Sequence, residues 1–156
     1  AMKLTAFTDY SLRVLIYLAA QPERRATIGE IAASFAVSEH HLTKVVHFLG
    51  KEGWLANVRG KGGGLALAKP PEAINIGDVV QRTEGGALVE CFGEGGGACR
   101  ITGLCRLQGI LGEAVGAFHA VLQRYTLPDL VGNGEALATV FLAGRIGAAH
   151  TERGAA

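Results

Sequence analysis

Thr27-Ile28-Gly29-Glu30-Ile31-Ala32-Ala33-Ser34-Phe35-Ala36-Val37-Ser38-Glu39-His40-His41-Leu42-Thr43-Lys44-Val45-Val46-His47-Phe48-Leu49-Gly50 is the stretch that decides the fold. Thr27 and Glu30 stand at capping-box spacing, so the hydroxyl can accept from the third amide while the carboxylate returns to the cap amide. A short helix follows, to about Ser34–Phe35. Ala36-Val37 leaves room only for a tight connection, and Ser38 is placed to cap the next helix. In that helix Leu42, Val45, Val46 and Leu49 fall at i, i+3, i+4 and i+7, one apolar stripe. The opposite face carries His40, His41, Thr43, Lys44 and His47. Gly50 to Gly53 closes it.

On the upstream side, residues 8–20 have helical periodicity through Leu12, Val14, Leu15 and Leu18, with Thr8 and Asp9 as candidate caps and Gln21-Pro22 as the stop. On the downstream side, two apolar runs, Trp54 to Val58 and Leu65 to Lys69, flank Arg59-Gly60-Lys61-Gly62-Gly63-Gly64. That arrangement predicts a β-hairpin with a basic, glycine-rich tip, ended by Pro70-Pro71. Ile76 to Glu84 reads as another short helix. The fold class expected is mainly α with a small β-wing: a winged helix-turn-helix over 1–84.

The texture changes at residues 85–104, a glycine-dense loop holding Cys91 and Cys99. A loop of this length without periodicity is functional or disordered. A long helix follows from Cys105 to Tyr125. Leu107, Leu111, Ala114, Phe118, Val121 and Tyr125 alternate four and three residues apart, the pattern of a seam. It is expected to pair two copies of the chain; packing on its own domain is the alternative. Residues 105–127 are therefore assigned to dimerisation, and 128–156 to a tail with a possible helix over 135–148 and no assigned function.

A reading helix of this size fits the B-DNA major groove. His40, His41, Thr43, Lys44 and His47 are candidate DNA contacts, joined by Arg59 and Lys61 at the hairpin tip. Thr27 and Ser38 head helices whose free amides can hold phosphates. Charge agrees: residues 1–69 hold nine Lys and Arg against five Asp and Glu, whereas residues 70–156 hold six against nine. A basic N-terminal half suits a polyanion.

Cys91, Cys99 and Cys105 give C-x7-C-x5-C, with no other cysteine in the chain. An odd count argues against a disulfide framework. Structural zinc usually shows cysteine pairs two to four residues apart, absent here. Thiolates in a glycine-rich loop suit an iron–sulfur cluster; three free thiols are the alternative. The residues offer no fourth cysteine, which leaves a carboxylate or an open position. No apolar run approaches the ~20 residues of a membrane span, and the start lacks a secretory stretch. The chain reads as cytoplasmic. It lacks a nucleophile–base pair or a phosphate loop at a strand–helix junction, so it does not read as an enzyme.

Several segments resemble the Rrf-type winged-helix iron–sulfur regulators. These are Leu4-Thr5-x-Phe7-Thr8-Asp9-Tyr10-x-Leu12-Arg13, Ile31-Ala32, Ser38-x-x-His41-Leu42-x-Lys44-Val45-Val46, and the Arg59 to Gly64 wing with Leu65-x-Leu67-Ala68-Lys69-Pro70. The resemblance runs from Met2 to about Tyr125 and is strongest to the nitric-oxide-sensing branch. A sister branch has a histidine three residues after its third cysteine, where this chain has Gln108. The resemblance implies a homodimeric repressor of operator DNA with nitric oxide as its signal. It also implies a 4Fe–4S cluster, held by Cys91, Cys99 and Cys105 with Asp9 of the partner subunit as fourth ligand. Asp9 taken alone is equally a helix cap. A 2Fe–2S regulator sensing redox state or iron supply is the alternative within this fold, and an iron–sulfur electron carrier is the alternative outside it.

Overall fold

The computed structural model describes residues 3–85, 100–101 and 104–154, with side chains to residue 147. Helix α1 is Ala6–Ala20, α2 is Ile28–Phe35 and α3 is Glu39–Lys51. Strands β1 (Leu55–Val58) and β2 (Gly64–Leu67) pair antiparallel, Leu55 opposite Leu67 and Val58 opposite Gly64. After a 3-10 turn at Pro71–Ala73 come α4 (Ile76–Glu84), α5 (Arg106–Leu122), α6 (Leu127–Leu130) and α7 (Gly134–Gly154). This is the expected class, mainly helical with a two-stranded wing. Among the described residues no helix is long and apolar enough to cross a membrane.

Helix α1 begins two residues earlier than its apolar periodicity suggests. Thr5, not Thr8 or Asp9, is the cap, and its hydroxyl accepts from the Thr8 amide at 3.3 Å. The Thr8 hydroxyl instead donates to Thr83 at 2.8 Å in the core. The Glu84 carboxylate accepts from the Thr5 amide at 2.7 Å, so the start of α1 and the end of α4 are fastened together. Burial raises the Glu84 carboxyl, but the nearby Thr8 hydroxyl and the Thr5 amide and hydroxyl outweigh it and hold it below the usual range.

The α2 capping box forms as its spacing requires, with Thr27 and Glu30 serving each other. Ala36 then turns the chain in the left-handed region at φ 53°. Ser38 is the N-cap residue of α3, but its side chain makes no capping hydrogen bond. Leu42, Val45 and Leu49 are buried against α1 and α2, while Val46 is half-buried. Removing a side chain such as Leu49 from this stripe would cost about 2–5 kcal/mol.

The wing is anchored by Leu55 and Leu65, both buried. Ala26 adds a bridge to Leu65, so the loop before α2 extends the sheet by one residue. At the tip Gly62 has φ +75°, and a Cβ on Gly63 would lie 2.3 Å from the Val58 carbonyl. These positions need glycine for backbone shape and space.

Helix α5 is shorter than its seam, ending at Leu122 rather than Tyr125, and Cys105 is its N-cap. None of its residues is fully buried. Leu111, Val115 and Leu122 are half-buried, Leu122 against the core, and α5 packs on α4. Leu107, Ile110, Phe118 and Val121 are exposed, Leu107 at 54% and Ile110 at 62%. The last helix, α7, covers the expected 135–148 and continues to Gly154. It packs on α1 and α2 with Phe141 buried.

Candidate nucleic-acid interface and cysteine site

The stripe that buries Leu42, Val45 and Leu49 turns the other side of α3 to solvent. His40, His41, Thr43, Lys44 and His47 are all exposed. Thr43 turns its hydroxyl back to the Glu39 carbonyl at 2.9 Å. His41 stacks on Tyr10 of α1, ring centres 6.2 Å apart and planes 24° apart. Arg59 and Lys61 are exposed at the wing tip, downstream of the same helix. Thus the α3 candidates share one solvent-facing side, with the two wing cations on the hairpin that follows.

Arg25, absent from the sequence-based set, reaches the wing from the loop before α2 and donates to the Gly62 carbonyl at 3.3 Å. An exposed arginine in a loop gives no local signal of such a contact. Tyr10 was hidden in the same way, since its partner lies 31 positions on.

The two helix heads differ. At Thr27 the capping box uses the cap amide, 2.9 Å from Glu30 Oε2, and the Glu30 amide, 3.2 Å from the Thr27 hydroxyl. Only the amides of Ile28 and Gly29 remain for a phosphate there, beside a carboxylate that repels one. At Ser38 no side chain occupies the first-turn amides of α3.

Glu30, in the first turn of α2, gathers the charges at that helix head. Arg24 Nη2 donates to its Oε1 at 2.6 Å. Burial raises the Glu30 carboxyl, but the Thr27 amide, Arg24 and nearby Arg145 together outweigh it and hold it below the usual carboxylate range.

Of the cysteines, Cys91 and Cys99 lie outside the described residues. Cys105 is a half-buried free thiol at the head of α5. Its amide donates to the Ile101 carbonyl at 3.0 Å. Asp9 is in the first turn of α1 and pairs with Arg13 at 2.9 Å. Because Thr5 does the capping, Asp9 is not required for that task. Among the described residues no three His, Cys, Asp or Glu side chains converge as a metal site. The donor types nevertheless suit iron–sulfur chemistry, thiolates with one oxygen.

The family described as "Rrf2: Iron-dependent Transcriptional regulator" matches residues 4–133. The HTH-type transcriptional regulator NsrR of Bacillus subtilis (strain 168) is 49% identical over 136 residues, 86% of this chain and 93% of that protein. The NsrR of Geobacillus kaustophilus (strain HTA426) is 51% identical over 132 residues, 83% of this chain and 90% of its own. Among solved structures, CymR, the global cysteine regulator of B. subtilis, superposes with a TM-score of 0.68 at 27% identity, covering 85% of this chain and 98% of that one. IscR of T. potens shares the fold, with a TM-score of 0.70 at 24% identity over 85% of this chain and 88% of that one.

Proposed function

The chain belongs to the Rrf2 family of iron-dependent transcriptional regulators, and from that premise we propose that it is a homodimeric repressor whose hold on operator DNA is set by a 4Fe–4S cluster that reacts with nitric oxide. It is a DNA-binding transcriptional regulator and not an enzyme. The observation that carries the sensing part is Cys105, a free half-buried thiol that heads an α5 exposing Leu107, Ile110 and Phe118. The cluster would be held by Cys91, Cys99 and Cys105, with Asp9 of the partner subunit as fourth ligand. Gln108, in place of the histidine of the sister branch, favours an oxygen ligand of this kind. The protein would act in the cytoplasm, where its operator is.

When bound, the cluster supplies iron sites open to attack by nitric oxide. The chain's own residues connect that place to the DNA. Asp9 pairs with Arg13, whose guanidinium lies 5.9 Å from the Tyr10 ring centre and 5.6 Å from that of Phe35. Tyr10 stacks on His41 of the reading helix. A change in what Asp9 binds therefore alters the surroundings of α3 through packed side chains. Two reading helices, held by an α5 pair, would meet two half-sites of the operator. Residues 1–84 would read, 85–104 sense and 105–127 join the copies, with 128–156 as a tail outside these tasks.

Iron and sulfide counting on anaerobically purified protein tests this reading, with Mössbauer spectra to separate cluster types. Four irons per chain, lost when Cys91, Cys99 and Cys105 are all replaced by serine, is the expected result. A two-iron spectrum would favour the redox- or iron-sensing alternative, and iron-free protein would end the cluster account.

A further inference from the structure

Helix α7 begins at Gly134, one residue beyond the segment matched by the family. It nevertheless packs against both α1 and α2. Phe141 is buried, with its ring centre 4.8 Å from Tyr17 of α1 and 5.2 Å from Phe35 of α2. The Phe141 carbonyl accepts from the Ser34 hydroxyl at 3.3 Å. Gly144 lets the helices touch, since a Cβ there would lie 3.2 Å from both the Cα and the carbonyl oxygen of Ser34. Arg145 Nη1 donates to the hydroxyl of the buried Tyr17 at 3.0 Å. It also lies near enough to Glu30 to help hold that carboxylate ionised, and Glu30 closes the α2 capping box.

We infer that α7 is a brace in cis for the DNA-reading unit, and that Arg145 is a positioning residue for α2 and, through it, for α3. Phe141 fills the gap between α1 and α2. Arg145 ties α7 to α1 through the Tyr17 hydroxyl and brings a positive charge toward Glu30 in the first turn of α2. Since α2 packs on α3, and packed interiors transmit small shifts rather than absorb them, loosening α7 changes how α3 is presented. The inference rests on the DNA-binding role of this fold but not on the cluster.

The test uses full-length protein carrying Arg145→Gln, Arg145→Lys or Gly144→Val. Amide hydrogen exchange is followed in residues 28–51, and operator affinity is measured far below the unfolding temperature with the folded fraction matched. Faster exchange in α2 is expected for Arg145→Gln and Gly144→Val, with operator affinity reduced about five-fold or more and partial recovery in Arg145→Lys. The slope of affinity against salt should stay that of wild type, because a residue acting through α2 neutralises no phosphate. If Gly144→Val does not fold, Arg145→Gln and Tyr17→Phe decide. Unchanged exchange in α2 would overturn the brace. Faster exchange with unchanged affinity would overturn positioning, and a salt slope lowered by about one would make Arg145 a direct phosphate contact. Wild-type protein that binds no operator would count against the DNA-binding account, and exchange would then judge the brace alone.

Discussion

The Glu30 carboxylate accepts from the Thr27 amide at 2.9 Å and from Arg24 at 2.6 Å, in the first turn of α2. Its folded-state pKa is held below the usual 4.5. A carboxyl lowered in this way stabilises the fold above its usual value, and that contribution drains away as pH falls through the folded value. Urea midpoints between about pH 7 and about pH 3 should therefore show a shallower acid loss in Glu30→Gln than in wild type, from a lower starting stability. Parallel acid limbs would contradict the assignment. Asp9 poses the sharper question at this scale. Its pairing with Arg13 is half exposed and contributes little to stability, and Thr5 caps the helix in its place. Asp9→Ala should leave the unfolding temperature near wild type while lowering iron retained after anaerobic desalting. Full iron retention would show that Asp9 serves only Arg13. The three thiols stand out in the sequence by spacing and isolation, and of them only Cys105 lies within the described residues. The ligand role proposed for Asp9 rests on resemblance alone, because a ligand contributed across two copies would leave no local pattern.

Among the elements, those set by neighbouring residues were readable in advance. The α2 capping box, the α4 span and the hairpin each depend on contacts a few positions apart, and each formed where the sequence put it. Elements set by distant contacts were not. The start of α1 is fixed by Glu84, 79 positions away, and the wing tip is steadied by Arg25, 37 positions from Gly62. The cap expected of Ser38 places the helix start without making a bond. For the wing, the expected outcome is that Arg59→Ala and Lys61→Ala each weaken operator binding and reduce its salt slope by about one. Gel-shift titrations at several salt concentrations check this. An unchanged slope and affinity would mean that the wing stays clear of the phosphates.

For the whole molecule, the proposed pairing of two copies turns on α5. In one chain it lies beside α4 and leaves Leu107, Ile110, Phe118 and Val121 in solvent, an apolar face that a single copy has no use for. Leu107→Asp and Phe118→Asp should each convert a dimer into monomers at micromolar concentration in sedimentation experiments, because a two-fold interface meets each new charge twice. A wild-type monomer, or variants that stay dimeric, would place the contact elsewhere. The apolar periodicity of α5 was visible as an alternation of four and three residues. The packing of α7 was not, because Phe141, Gly144 and Arg145 gain meaning only from Tyr17, Ser34 and Phe35, which lie more than a hundred positions earlier.

The claim on which this account turns is that chemistry at the cysteine site changes the grip on DNA. Operator affinity of anaerobic, iron-loaded protein before and after stoichiometric nitric oxide measures it directly. Affinity should fall by ~5–150-fold, the range of a typical coupling between sites, and the triple serine variant should not respond to the gas. Equal affinity before and after nitric oxide, in protein whose iron has been counted, would contradict it.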